Sequence, residues 1–142
     1  MNPEDIKAKM SYAEVSQDKF GVIWVKVPLE KVRDALKTLL DEGFTHLTTI
    51  TGHDTGEVIR LIYNLLGDLQ GKNKVINVVT EVDRENSVAP SIMDLFPSAL
   101  IYEREVYDLL GVKFEGHKGL KRLLLPEDTP EGFHPLRKDF KG

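Results

Sequence analysis

The chain has 142 residues, a single-domain length sufficient for a core of its own, and a mildly acidic formal net charge of −4 over an ordinary globular composition. That balance argues against nucleic acid as the main partner, because phosphate binding wants a basic stripe and nothing before the final segment clusters Lys and Arg. Cysteine is absent, which excludes disulfides, thiolate zinc sites, a cysteine nucleophile and a thiolate-bound iron–sulfur cluster. No apolar run approaches the roughly 20 residues that span a bilayer. MNPEDIKAKM lacks a signal-peptide apolar region, and the expected location is cytoplasmic.

In chain order, Asn2-Pro3-Glu4-Asp5 reads as an N-cap, a first-position proline and acidic first-turn residues, starting a short helix to about Met10. After a polar segment, FGVIWVKVP is β-branched and aromatic and is stopped by Pro28, so it predicts a strand. LEKVRDALKTLLDEG sets Leu29, Val32, Leu36, Leu39 and Leu40 on one face and ends at Gly43, which predicts the main helix, packed on the sheet. FTHLTTI predicts a second strand, and Gly52 to Gly56 a turn. EVIRLIYNLLG and KVINVVTEV then continue a meander, the former fitting a helix by spacing but a strand by its flanking turns. After RENSVAP, Ser91 and Asp94 suggest a capped short helix ending near Phe96. SALIYEREVYDLLG predicts another helix, N-capped at Ser98 and closed by Gly111 in a left-handed C-cap. The order α-β-α-β-β-β-α-α implies an α+β fold of two layers: helices on one face of a mixed or antiparallel sheet of about four strands, with an extended irregular C-terminal tail. Residues 1–111 form the expected α+β domain and residues 112–142 the expected docking tail.

Three kinds of chemistry are weighed and set aside. Gly67 to Asn73 has only three residues between its glycines and no Ser/Thr after Lys72, so it reads as a hairpin rather than a phosphate loop. His46, His53 and Asp54 could converge across a hairpin, but they read as surface or sheet residues, and no metal or cofactor is expected. Glu103 and Glu105 lie about 200° apart around a helix and cannot share a proton or flank one bond. In that helix Tyr102, Val106 and Leu109 form the apolar stripe expected to face the core. Glu103 with Tyr107, and Arg104 with Asp108, face one another and are read as anchors to the tail or a neighbour.

Past Gly111 the chain is broken by Gly116, Gly119, Gly132, Pro126, Pro130 and Pro135, and neither a long helix nor a long strand fits. Its apolar side chains, Phe114, Leu120, Leu123 to Leu125, Phe133 and Leu136, are too many for a solvated tail. Arg122, Arg137 and Lys138 offer charged anchors. A segment of this kind is expected to dock on a partner.

The runs YEREVYDLLGVKFEGH, LKRLLLPED and PLRKDF, led by SVAPSIMDLFPSA, closely resemble the signature of the 30 kDa subunit family of respiratory complex I. That family includes the small subunits of membrane-bound, energy-converting nickel–iron hydrogenases. The likeness runs from Ser87 to the end of the chain and departs at Thr129, where the family usually carries Trp. The resemblance implies a non-catalytic subunit of a membrane oxidoreductase. Its partners would be the large hydrogenase-like (49 kDa-type) subunit and neighbouring iron–sulfur subunits, which hold the clusters this cysteine-free chain cannot. The expected interface residues are Glu103, Arg104, Glu105, Asp108, Phe114 and His117, then Leu120, Arg122, Pro126, Phe133 and Pro135, and finally Leu136, Arg137, Lys138 and Asp139. His117 is read as a hydrogen-bonding group at that interface. The ending at PLRKDFKG looks more like a hydrogenase-type or related archaeal-type complex, with the 30 kDa subunit of NADH:quinone oxidoreductase the alternative. The reading from another class is a stand-alone enzyme or ligand-binding domain using His53, Asp54 or Glu103.

Overall fold

The structure, a computed structural model, describes residues 3–69 and 71–116. Helix α1 (Pro3–Lys9) begins on the expected proline, with acids in its first turn and lysines in its last, in keeping with the helix dipole. Its one buried side chain, Ile6, and the following Met10 and Ala13 enter the core. Strands β1 (Glu14–Gln17) and β2 (Ile23–Lys26) form an antiparallel hairpin. A 3-10 turn at Leu29–Lys31 feeds α2 (Val32–Asp41), which buries Val32, Ala35, Leu36 and Leu39, while Leu29 and Leu40 pack half-buried beside them.

Strands β3 (His46–Asp54), β4 (Val58–Leu69) and β5 (Lys72–Asp83) are an antiparallel meander, so the ambiguous EVIRLIYNLLG is a strand. The sheet order is β1-β2-β5-β4-β3, with β2 and β5 parallel. The sheet is therefore mixed and has five strands rather than about four. The extra strand, β1, is short and mostly exposed, and so carries no alternation of apolar and polar residues to announce it. Val25, Val78, Tyr63 and Ile50 form one cross-strand row on the covered face, where all four are buried. The next row, Lys26, Val79, Ile62 and Thr51, belongs to the other face, as the period of two requires.

Strand β6 (Val88–Pro90) pairs in parallel with β7 (Lys113–Glu115), which follows α3 (Ala99–Leu110). The body thus runs past Gly111 to at least Gly116. No helix forms at Ser91 to Phe96: this stretch is a turn, with the N–H groups of Leu95 and Phe96 donating to the Ile92 carbonyl. The Ser91 hydroxyl accepts from the Met93 N–H at 3.3 Å while donating to Glu103, and Asp94 pairs with Arg33.

The Gly67–Asn73 segment is a hairpin. Leu69 pairs with Lys72, and Gly71 has a positive φ of 76°. Gly67 itself permits a close approach, since a Cβ there would lie 2.9 Å from both the Gly43 carbonyl oxygen and Phe44 Cδ1. Nor do His46, His53 and Asp54 converge. Both histidines are exposed, whereas Asp54 is buried and accepts from Arg84 Nε and Nη2 at 2.8 and 3.1 Å.

Candidate functional site

Helix α3 turns an unexpected face inward. Its buried residues are Ala99, Glu103, Val106, Asp108 and Leu110, while Tyr102 and Leu109 are only half-buried. Ser98 stands at the N-cap, but its hydroxyl donates to the Leu47 carbonyl of β3 and accepts no capping bond from its own helix. Gly111 closes the helix at φ 79° as expected. Glu103 is fully buried, and its carboxylate accepts from the Ser91 hydroxyl at 2.7 Å and from the Ile92 N–H at 2.8 Å. An interior carboxylate is tolerable only with such donors, so this pair of bonds clamps α3 to the chain leaving β6.

The clamp continues to the surface. Arg33 of α2 donates to the Ser91 carbonyl at 2.5 Å and forms a two-pronged pair with Asp94 at 2.9 and 2.7 Å. These bonds hold the Asp94 carboxyl below its ordinary value. Inside, the Tyr63 phenol is raised above its ordinary value, first by burial and then by the Glu103 charge. Among the described residues, the hydroxyls of Tyr63 and Thr80 are the buried side-chain groups without a hydrogen-bond partner. Above the clamp lies a cleft of about 570 Å³, bordered by Arg33, Ser91, Met93 and Asp94 and by Glu115 and Gly116. The chain passes into residues 117–142 from the rim of this cleft.

Of the expected interface residues, Glu103 and Asp108 are interior and Phe114 belongs to the chain's own core at 3% exposure. The turn after β6 closes over Glu103 through Ser91 and Ile92, and Phe114 is the buried residue of β7. Arg104 and Glu105 are half-buried on α3. His117, Leu120, Arg122, Pro126, Phe133, Pro135, Leu136, Arg137, Lys138 and Asp139 lie outside the described residues. Sequence reasoning missed Arg33, whose helical position gives no sign of a partner about sixty residues away. The described residues contain no group of three or more His, Asp or Glu placed to hold a metal ion.

Fold and site define a small α+β body whose charged interior groups lock its own elements and whose last described residues, Glu115 and Gly116, border a cleft. Residues 25–142 match the family of the respiratory-chain NADH dehydrogenase 30 kDa subunit, and the chain belongs to that family. It is 44% identical over 111 residues to the corresponding NADH-quinone oxidoreductase subunit of Moorella thermoacetica, covering 75% of this chain and 72% of that one. It is 32% identical over 145 residues to the membrane-bound hydrogenase subunit beta of Pyrococcus furiosus, covering 96% and 83%. Some relatives are longer: the chain spans 65% of NADH-quinone oxidoreductase subunit 5 of Thermus thermophilus. Among solved structures, a chain of the membrane-bound sulfane sulfur reductase, an archaeal respiratory membrane complex, superposes with a TM-score of 0.86 at 31% identity, over 97% of this chain and 82% of that one. A trypsin-resistant fragment (1–134) of Nqo5 gives 0.70 at 31% identity, over 81% and 93%.

Proposed function

We propose that this chain is a non-catalytic peripheral-arm subunit of a complex I-like membrane oxidoreductase. The carrying observation is that its fold resembles that of a chain in an archaeal respiratory membrane complex across nearly its whole length, with 31% sequence identity. The host is a membrane-bound hydrogenase or related complex, with NADH:quinone oxidoreductase the alternative that the 44% identity to the Moorella thermoacetica subunit favours. The body rests on the complex, and the segment after Gly116 docks on the large subunit. In that segment Phe133 and Leu136 supply buried anchors, Arg122 and Arg137 carboxylate-binding forks and Lys138 a point charge. Half-buried Arg104 and Glu105 on α3 extend the contact. The trypsin resistance of the similar Nqo5 fragment supports a self-standing body. Membrane association would come through the partners, since no helix among the described residues is long and apolar enough to cross a bilayer.

The test is purification of the tagged chain from its own host, with partners identified by mass spectrometry, beside a version ending at Pro126. The full chain should bring down a hydrogenase-like large subunit and iron–sulfur subunits, and their accompanying subunits identify the host. The truncated chain should keep its folded body, by circular dichroism, and lose the large subunit. Retention of that subunit by the truncated chain would refute docking through Phe133, Leu136, Arg137 and Lys138.

A further inference from the structure

The large apolar side chains exposed among the described residues are Phe20, at 79%, and Ile101, at 49%. Phe20 stands at the tip of the β1–β2 hairpin, ahead of the family-matched segment, which begins at Val25. The tip is fixed rather than loose. Asp18 Oδ1 accepts from the N–H groups of Phe20 and Val22 at 2.9 and 3.0 Å, and its Oδ2 accepts from Trp24 Nε1–H at 3.1 Å. Backbone bonds run from Asp18 N–H to the Val22 carbonyl and from Gly21 N–H to the Asp18 carbonyl, and the Gln17 amide donates to the Gly21 carbonyl. Gly21 completes the turn at φ 83°, a conformation open to glycine at little cost.

A carboxylate that satisfies three donors to hold an aromatic ring in water gains the body no buried area. It does remove the ordering cost that a binding loop would otherwise meet on association. With Asp18 directed into the loop, the outward charge of the tip is the Lys19 ammonium, 5.2 Å from the centroid of the Phe20 ring. When the ring is inserted, that ammonium sits at the mouth of the socket, where a carboxylate is its complement. One aromatic and one lysine fall short of the two signals that stable membrane anchoring takes, which favours a protein partner over a lipid surface.

We propose that the Asp18–Gly21 tip is a preorganised anchor that inserts Phe20 into an apolar, carboxylate-rimmed socket on a neighbouring subunit. This rests on the subunit reading above and adds a contact independent of the C-terminal segment. The experiment is site-specific photo-crosslinking in the host, with Phe20 replaced by p-benzoylphenylalanine and Glu57, exposed on a different turn, replaced likewise as control. Recovery of the complex with the unmodified tagged chain is checked first, and its failure would count against the subunit reading itself. With the complex recovered, position 20 should crosslink to one subunit of it and position 57 should not. Phe20→Ser and Lys19→Glu should each lower retention of that subunit, the former by about tenfold or more. Phe20→Ser should leave the melting temperature of the isolated full chain unchanged, which separates lost docking from lost folding. The proposal is overturned if position 20 gives no subunit adduct, if it crosslinks to lipid, or if Phe20→Ser leaves retention unaltered.

Discussion

Replacing Glu103 by alanine tests the clamp beneath the cleft most directly. The change removes both acceptors facing the Ser91 hydroxyl and the Ile92 N–H, in a place where Glu103 and Ile92 are 0% and Ser91 7% exposed. Each stranded donor costs about 1–3 kcal/mol, and the vacated volume adds to this, so a loss of roughly 3–5 kcal/mol is expected. For a body of this size each kcal/mol moves the midpoint by roughly 3–5 °C, giving a fall on the order of 10–20 °C. Glu103→Gln keeps the shape and one carbonyl acceptor for Ile92, and should lose about 1 kcal/mol. Thermal melts followed by circular dichroism and by fluorescence of the single tryptophan, Trp24, report both. The reasoning fails if Glu103→Ala melts no lower than Glu57→Ala, a change at an exposed turn.

Tyr63→Phe removes a buried hydroxyl that has no hydrogen-bond partner among the described residues and lies within the field of Glu103, so it should leave stability unchanged or raise it by up to about 1 kcal/mol; a clear loss in urea unfolding would contradict this. Gly67→Ala places a methyl against the Gly43 carbonyl and the Phe44 ring and should cost about 1–3 kcal/mol by the same assay. The Asp94 carboxyl is held below its ordinary value of 3.8 by Arg33, so its pairing stabilises the fold above that value and is lost as pH falls through the lower folded one. Unfolding curves between pH 5 and 2 should therefore show a shallower acid limb in Asp94→Asn than in the wild type. The difference should stay under about 1 kcal/mol because both side chains are solvent-accessible. A difference confined to alkaline pH would refute the assignment.

The layer architecture was legible because α2 and the three long strands carry their periodicity openly, and flanking turns decided for strand in EVIRLIYNLLG. Local chemistry was harder to read. The Ser91 and Asp94 pattern is that of a helix start, yet only a turn forms: Ser91 accepts from the Met93 N–H and donates to Glu103 twelve residues on, while Arg33, about sixty back, holds Asp94. Helix α3 misled for a related reason. Apolar spacing placed Tyr102 and Leu109 inside, whereas the interior follows Ala99, Glu103, Val106 and Leu110, a stripe that contains a charged residue and so escapes any hydrophobic count. Rotation correctly kept Glu103 and Glu105 apart, but only the structure shows that the former is sealed in the body. Phe114 looked like tail because glycines surround it, and the parallel partner β6 that draws it inward leaves no local trace.

The parallel pairing of β2 with β5 also bears on how the chain reaches this form. Ile23 finds its partner Ile76 only after some fifty further residues, including α2 and the whole β3–β4 hairpin, have been synthesised. Helix α2 and the β3–β4–β5 meander can assemble from near neighbours, whereas the N-terminal hairpin must wait for β5 to offer its free edge. Late closure of such a long loop is intrinsically slow. A nascent chain arrested before Lys72 would therefore hold β1, β2 and Phe20 without their sheet, as the part of the body most open to wrong partners.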